Sequence, residues 1–116
     1  MRLAEQNRQP DQYRVTNLEK VFVKKYCSGK DTLVAVCDKD LIGKTLRDGK
    51  IKLDVKKEFY GDRLTTLEEA GKALSEADSG NIVGKKSVKI AIERNLVDPS
   101  AVIHISGIPH VHIIRL

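Results

Sequence analysis

Tryptophan is absent from this 116-residue sequence, and the other aromatics amount to two phenylalanines and three tyrosines. The core must therefore be built from Val, Ile, Leu and Ala. Cysteine is equally sparse: Cys27 and Cys37 cannot supply the disulfide framework of a small secreted domain. The turn-forming Ser28-Gly29-Lys30-Asp31 would set Cys27 opposite Thr32 and leave Cys37 far away, so both are expected as free thiols in a reducing cytoplasm. No apolar run approaches the roughly 18 residues of a membrane span. The opening segment MRLAEQNRQPDQYR lacks the apolar stretch of a signal peptide.

What is present fits one domain with one core. Lysine and arginine number 21 against 16 acidic residues, a net charge of +5. That balance suits a polyanionic partner without requiring one. Residues 1–16 are polar and aperiodic and contain Pro10, so they are expected to form a mobile tail ahead of a domain over 17–116.

The period-two pattern predicts a strand over Leu18–Tyr26, and the continuous apolar run Leu33–Cys37 predicts one buried on both faces. Ser28–Asp31 joins them as a hairpin. A third, half-exposed strand is expected where Ile51, Leu53 and Val55 alternate with Lys50, Lys52, Asp54 and Lys56. Thr65–Ala77 reads as a helix, opened by a capping box of Thr65 with Glu68 or Thr66 with Glu69. Ser79-Gly80-Asn81 is expected to stop it and cap a second helix over Val83–Asn95. A final hairpin over Ala101–Leu116 turns at Gly107-Ile108-Pro109. The order β-β-β-α-α-β-β predicts an α+β fold: a largely antiparallel sheet of about five strands with two consecutive helices on one face.

Several clusters bear on chemistry. Gly43-Lys44-Thr45 resembles the end of a phosphate loop, but the position that should hold its first glycine is Asp38. Gly84-Lys85-Lys86-Ser87 fails too, because Gly80 is misplaced and no strand is expected before it. A nucleotide triphosphatase is thereby excluded. The stretch Asn81–Ser87 is expected as a helix N-terminus, where free N–H groups and the dipole favour an anion. Lys85 and Lys86 sit in that turn and would be unfavourable there without one, with solvated lysines screened by salt as the plain alternative. Lys44, Arg47, Lys50, Lys52, Lys56 and Lys57 could track a phosphate backbone, with Phe59 or Tyr60 stacking on a base. Acidic Asp48, Asp54, Glu58 and Asp62 interleave with them, and a solvated strand face is the plain alternative.

His104, His110 and His112 would share one face of the last hairpin if Ile103, Ile105, Val111 and Ile113 share the other. No cysteine or carboxylate at ligand spacing joins them, so no metal site is expected. Cys37 with a base such as His110 is a conceivable nucleophile, with a plain core cysteine the commoner use of such a residue.

From Val21 onward the chain resembles a small archaeal family, domain of unknown function 424. The resemblance rests on Val34-Ala35-Val36-Cys37-Asp38, on Leu41-Ile42-Gly43-Lys44 followed by Gly49, and on Phe59-Tyr60-Gly61. It continues through Asn81-Ile82-Val83-Gly84, Leu96-Val97-Asp98-Pro99 and Gly107-Ile108-Pro109-His110. It implies a stand-alone protein associated with RNA and translation, and puts Gly43, Lys44, Asn81, Gly84 and His110 in the frame as site residues. His104 and His112 lie outside the family pattern.

The leading expectation is a non-enzymatic RNA-binding or translation-associated domain with no cofactor and no DNA-specific signal. Its contacts would be Gly43, Lys44, Arg47, Lys50, Lys52 and Tyr60, with Asn81, Gly84, Lys85, Lys86 and His110 around a second anion site. Two alternatives stand beside it. One is a small-molecule or anion-binding protein, conceivably an enzyme, with a pocket around Asn81, His110 and Asp38. The other is a homo-oligomeric module burying Phe59, Tyr60 and the last hairpin.

Overall fold

The first two strands, β1 (Lys20–Ser28) and β2 (Asp31–Asp38), form the expected hairpin. Ser28 pairs with Asp31 and Cys27 with Thr32. Gly29, at φ +61°, takes the first position of the two-residue turn, as a II′ connection requires. The computed structural model describes residues 19–61 and 63–115. The expected tail over 1–16 lies outside them.

After β2 a single 3₁₀ turn (Lys39–Leu41) leads into a second hairpin, β3 (Thr45–Asp48) and β4 (Ile51–Asp54). Then come α1 (Lys57–Tyr60), β5 (Arg63–Thr66), α2 (Leu67–Glu76), β6 (Ser79–Val83), α3 (Lys85–Glu93), a 3₁₀ turn (Pro99–Ala101), β7 (Ile103–Ile105) and β8 (Ile108–Ile114). Six strands form one sheet in the order β5-β1-β2-β6-β8-β7, and β3-β4 stand apart as a two-stranded ribbon. Among the described strands only β2 and β6 run parallel; the other pairs are antiparallel. The architecture is α+β.

Both faces of the sheet carry a core. On one, Val21, Val23, Val34, Val36, Ile82, Val111 and Ile113 meet Ala70 and Leu74 of α2 and Val88, Ile90 and Ala91 of α3. Each large aliphatic side chain buried there contributes about 1.5–3 kcal/mol of transfer free energy. On the other, Ala35, Cys37, Val83 and Ile105 are covered by Leu41, Leu46, Val55 and Tyr60. The β3-β4 ribbon and α1 thus act as a lid on the face opposite the two longer helices.

Helix α2 starts where Thr66 accepts a hydrogen bond from Glu69 N–H at 3.1 Å, the second of the two expected caps. Gly71 lets it approach α3: a Cβ there would stand 2.9 Å from Ile90 Cγ2.

Three expectations need correction. Ser79-Gly80-Asn81 does not stop one helix and cap the next; it opens β6, paired with β2 and β8. Burial of Ile82 and Val83 between those strands outweighs the local stop signal of Ser-Gly-Asn. The helices are therefore not consecutive, and α3 begins only at Lys85. Lys50, expected within a strand, lies with Gly49 in the turn of the ribbon.

The third correction concerns the histidines. In the β7–β8 turn, Ser106 and Gly107 both have positive φ, and Ile105 pairs with Ile108. His104 then pairs with Pro109 while Ile103 pairs with His110. Paired residues share a face, so His104 lies on the α3 side and His110 and His112 on the other. The three histidines do not form one group.

Candidate functional site

The expected anion site at the start of α3 holds a carboxylate of the chain itself. Asp38, the last residue of β2, accepts the N–H of Lys86 at Oδ2 (3.1 Å) and the N–H of Ser87 at Oδ1 (2.9 Å). The Ser87 hydroxyl donates to Oδ1 as well, at 2.7 Å. Gly84, the residue before α3, has φ +114° and ψ 154°, a conformation reserved in practice for glycine. A Cβ at that position would overlap Asp38. Gly84 is thus required by the cap, and Asp38 compensates Lys85 and Lys86 in the first turn. Around this cap an open depression of about 580 Å³ is lined by Glu19, Lys20, Asp38, Lys39, Asp40, Lys85 and Lys86.

The second locus is the base of the β3-β4 ribbon. Gly43 N–H donates to Val55 O at 2.7 Å and Val55 N–H to Lys44 O at 2.8 Å, which extends the ribbon by one step. Gly43, Lys44, Thr45, Lys52, Asp54, Lys56, Lys57 and Glu58 line a groove of about 480 Å³. Asp54 accepts from the Thr45 hydroxyl at 2.8 Å and lies 3.9 Å from Lys52 Nζ. Lys44, Arg47, Lys50, Lys56 and Lys57 are exposed. The ribbon's tip is held down where Ser106 N–H donates to Asp48 Oδ2 at 3.0 Å.

The third locus lies under the lid. Tyr60, 2% exposed, donates its hydroxyl to Asn81 Oδ1 at 2.6 Å. Burial, then Cys37 and Tyr26, push the Tyr60 phenol above its ordinary range. Asn81 pairs with His112, and Val83 with His110, on the neighbouring strand. The His110 Nδ1 stands 2.9 Å from Ile82 O. A carbonyl only accepts, so Nδ1 carries the proton and the neutral ring keeps its lone pair on Nε2. Burial depresses the His110 pKa; the Ile82 hydrogen bond opposes this and His112 adds to it. The Cys37 thiol is pushed up to about 12, by burial first and then by Asp38 and Asp40. It donates to Asp38 O at 3.1 Å, a buried thiol held protonated and not an activated nucleophile.

The expected site residues therefore separate. Gly43, Lys44 and Lys52 line the ribbon groove, and Arg47 and Lys50 extend the ribbon beyond it. Gly84, Lys85 and Lys86 belong to the α3 cap. Tyr60, Asn81 and His110 lie on the lid side of the sheet. Tyr60 offers no face to a base, a correction that follows from its burial. Phe59 is stacked on Tyr26 with ring centres 5.3 Å apart. The pocket expected around Asn81, His110 and Asp38 is split by the sheet, since Asp38 turns to the α3 side. The oligomeric reading loses Tyr60 as an interface residue; the last hairpin exposes Ile103 and Ile114. The role of Asp38 was missed because its partners lie 48 and 49 residues away. A signal did exist: Gly84, directly before α3, has no side chain of its own with which to cap it.

No helix among the described residues is long and apolar enough to cross a membrane. Residues 26–116 match the model of a family described as "Protein of unknown function (DUF424)". The fold is similar to the crystal structure of an uncharacterized conserved protein from Methanopyrus kandleri, with a TM-score of 0.69 and 22% identity. That similarity covers 84% of this chain and 94% of the other. No curated protein matches.

Proposed function

The chain belongs to the DUF424 family, and from the chemistry of its ribbon we propose that it is a non-enzymatic RNA-binding protein that grips the phosphate backbone without reading bases. The observation that carries this reading is the groove at the ribbon base. Lys44, Lys52, Lys56 and Lys57 surround it, and one of its two carboxylates, Asp54, is already engaged by Thr45 and Lys52. Arg47 and Lys50 continue the exposed cations along the ribbon. Such a row neutralises successive phosphates and releases counterions, giving affinity that depends on salt more than on sequence.

Base stacking has no part in the reading, because Tyr60 is buried and Phe59 is packed between Tyr26 and Tyr60. The start of α3 contributes only its exposed lysines, since Asp38 already holds the Lys86 and Ser87 N–H groups. A catalytic role draws no support from Cys37, which keeps its proton.

The test is filter binding of total tRNA and of ribosomal RNA across a salt series. The expected result is binding at low salt with a linear fall of log affinity against log salt. Lys44→Ala with Lys56→Ala should reduce that slope by about 1.4–1.8, at roughly 0.7–0.9 for each phosphate no longer neutralised. No binding at low salt, or an unchanged slope in the double variant, rejects the proposal.

A further inference from the structure

With His104 on the α3 side, His110 and His112 are left as a pair on the lid side of β8. Residues two apart on a strand are spaced by about 6.6–6.8 Å. The two ring centres are only 4.9 Å apart, with planes at 87°. The rings therefore lean toward each other. We propose that His110 and His112 form a two-nitrogen site for a late first-row divalent cation such as Cu²⁺, Ni²⁺ or Zn²⁺.

Three observations carry this, independently of the RNA reading. The first is spacing. A metal–nitrogen bond of about 2.0–2.1 Å puts an imidazole centre roughly 3.2 Å from the ion. Two centres at the observed separation then subtend about 100° at the ion, between square-planar and tetrahedral angles. The second is the anchor: His110 Nδ1–H donates to the Ile82 carbonyl, which leaves Nε2 as the ligating atom. A backbone carbonyl behind a histidine ligand is the usual way that ring orientation and tautomer are set. The third is access. The pair opens onto a depression of about 290 Å³ shared with Ala101, Ile103 and Val111.

That lining contains no carboxylate or thiol. Among the described residues no third His, Cys, Asp or Glu completes a cluster. The ion would keep at least two open positions, for water or a small donor ligand. Two imidazole nitrogens as ligands favour Cu²⁺ over Ni²⁺ and Zn²⁺, and disfavour Mg²⁺ and Ca²⁺.

The experiment uses the full chain, free of any tag, with Cys27→Ser to remove the exposed thiol. Ni²⁺ is titrated by calorimetry, and histidine ring-proton signals are followed by NMR. The expected result is one site, with the His110 and His112 signals perturbed and those of His104 unchanged. His112→Ala, at an exposed position, should weaken binding at least about tenfold, and His104→Ala should not. Absence of binding at millimolar Ni²⁺ overturns the proposal. So does unchanged affinity in a folded His112→Ala variant, or an equal loss in His104→Ala.

Discussion

Asp38 and Ser87 are 49 positions apart in the chain and joined by two hydrogen bonds in the fold, from the Ser87 N–H at 2.9 Å and its hydroxyl at 2.7 Å. A residue at the end of a central strand thereby caps a helix that begins after the next parallel strand. The contact ties β2, β6 and α3 together at one end of the sheet. It also explains why a helix with Lys85 and Lys86 in its first turn is stable there.

Removing this carboxylate leaves the Lys86 and Ser87 N–H groups without their partner. Asp38→Ala is expected to destabilise the fold by about 2–3 kcal/mol, combining the absence of a cap with the absence of hydrogen bonds to a charged group. Urea unfolding should show a lower midpoint at an unchanged slope. A midpoint equal to that of the parent would contradict the role given to Asp38.

Gly84 is tied to the same carboxylate. Gly84→Ala forces a side chain into a glycine-only conformation and against Asp38, with an expected loss of about 3 kcal/mol or more. In Asp38→Gly both the carboxyl and the Cβ that stand in the way are gone, so the double variant should lose clearly less than the two single losses added. Simple additivity would show that the overlap with Asp38 is not what selects glycine.

Tyr60→Phe tests the polar contact under the lid. It strips Asn81 Oδ1 of the donor now at 2.6 Å and should cost about 1–2 kcal/mol. The comparison is with Tyr60→Phe in an Asn81→Ala background, where the same change should be nearly neutral. Equal losses in both backgrounds would mean that packing, not this hydrogen bond, accounts for the effect.

The two thiols should differ sharply. Cys27 is exposed and Cys37 fully buried, with its pKa raised to about 12. A chromogenic disulfide reagent at pH 8 should titrate one thiol in the native protein and two in guanidinium. Folding keeps the Cys37 proton bound after the unfolded chain would release it. Its contribution to stability is thus complete below about pH 9 and declines as pH climbs toward 12. Cys37→Ala should show a shallower alkaline loss; an identical alkaline slope would remove Cys37 as a source of it.

Local pattern was enough for the first hairpin, because Gly29 marks the turn and the flanking runs can alternate in only one register. It was enough for α2, where Thr66, Glu69 and the apolar stripe agree. It failed at Ser79–Val83, five residues whose first three read as a helix stop. Only the presence of β2 on one side and β8 on the other makes a strand of them. It failed for His104 as well, where one residue of turn geometry decides which face a side chain takes.

From the chain alone came the α+β class, the apolar stripes, the exposed lysines of the ribbon and the family resemblance, all properties of residues near one another in sequence. Which lysines share a groove, that Tyr60 meets Asn81, that His110 and His112 lean together, and that Asp38 fills the α3 N-terminus were decided by the tertiary structure. The reason is physical: each depends on strand order and register, set by burial summed over the whole sheet. The helix start that looked open to a foreign anion was closed by an aspartate from the far end of another strand.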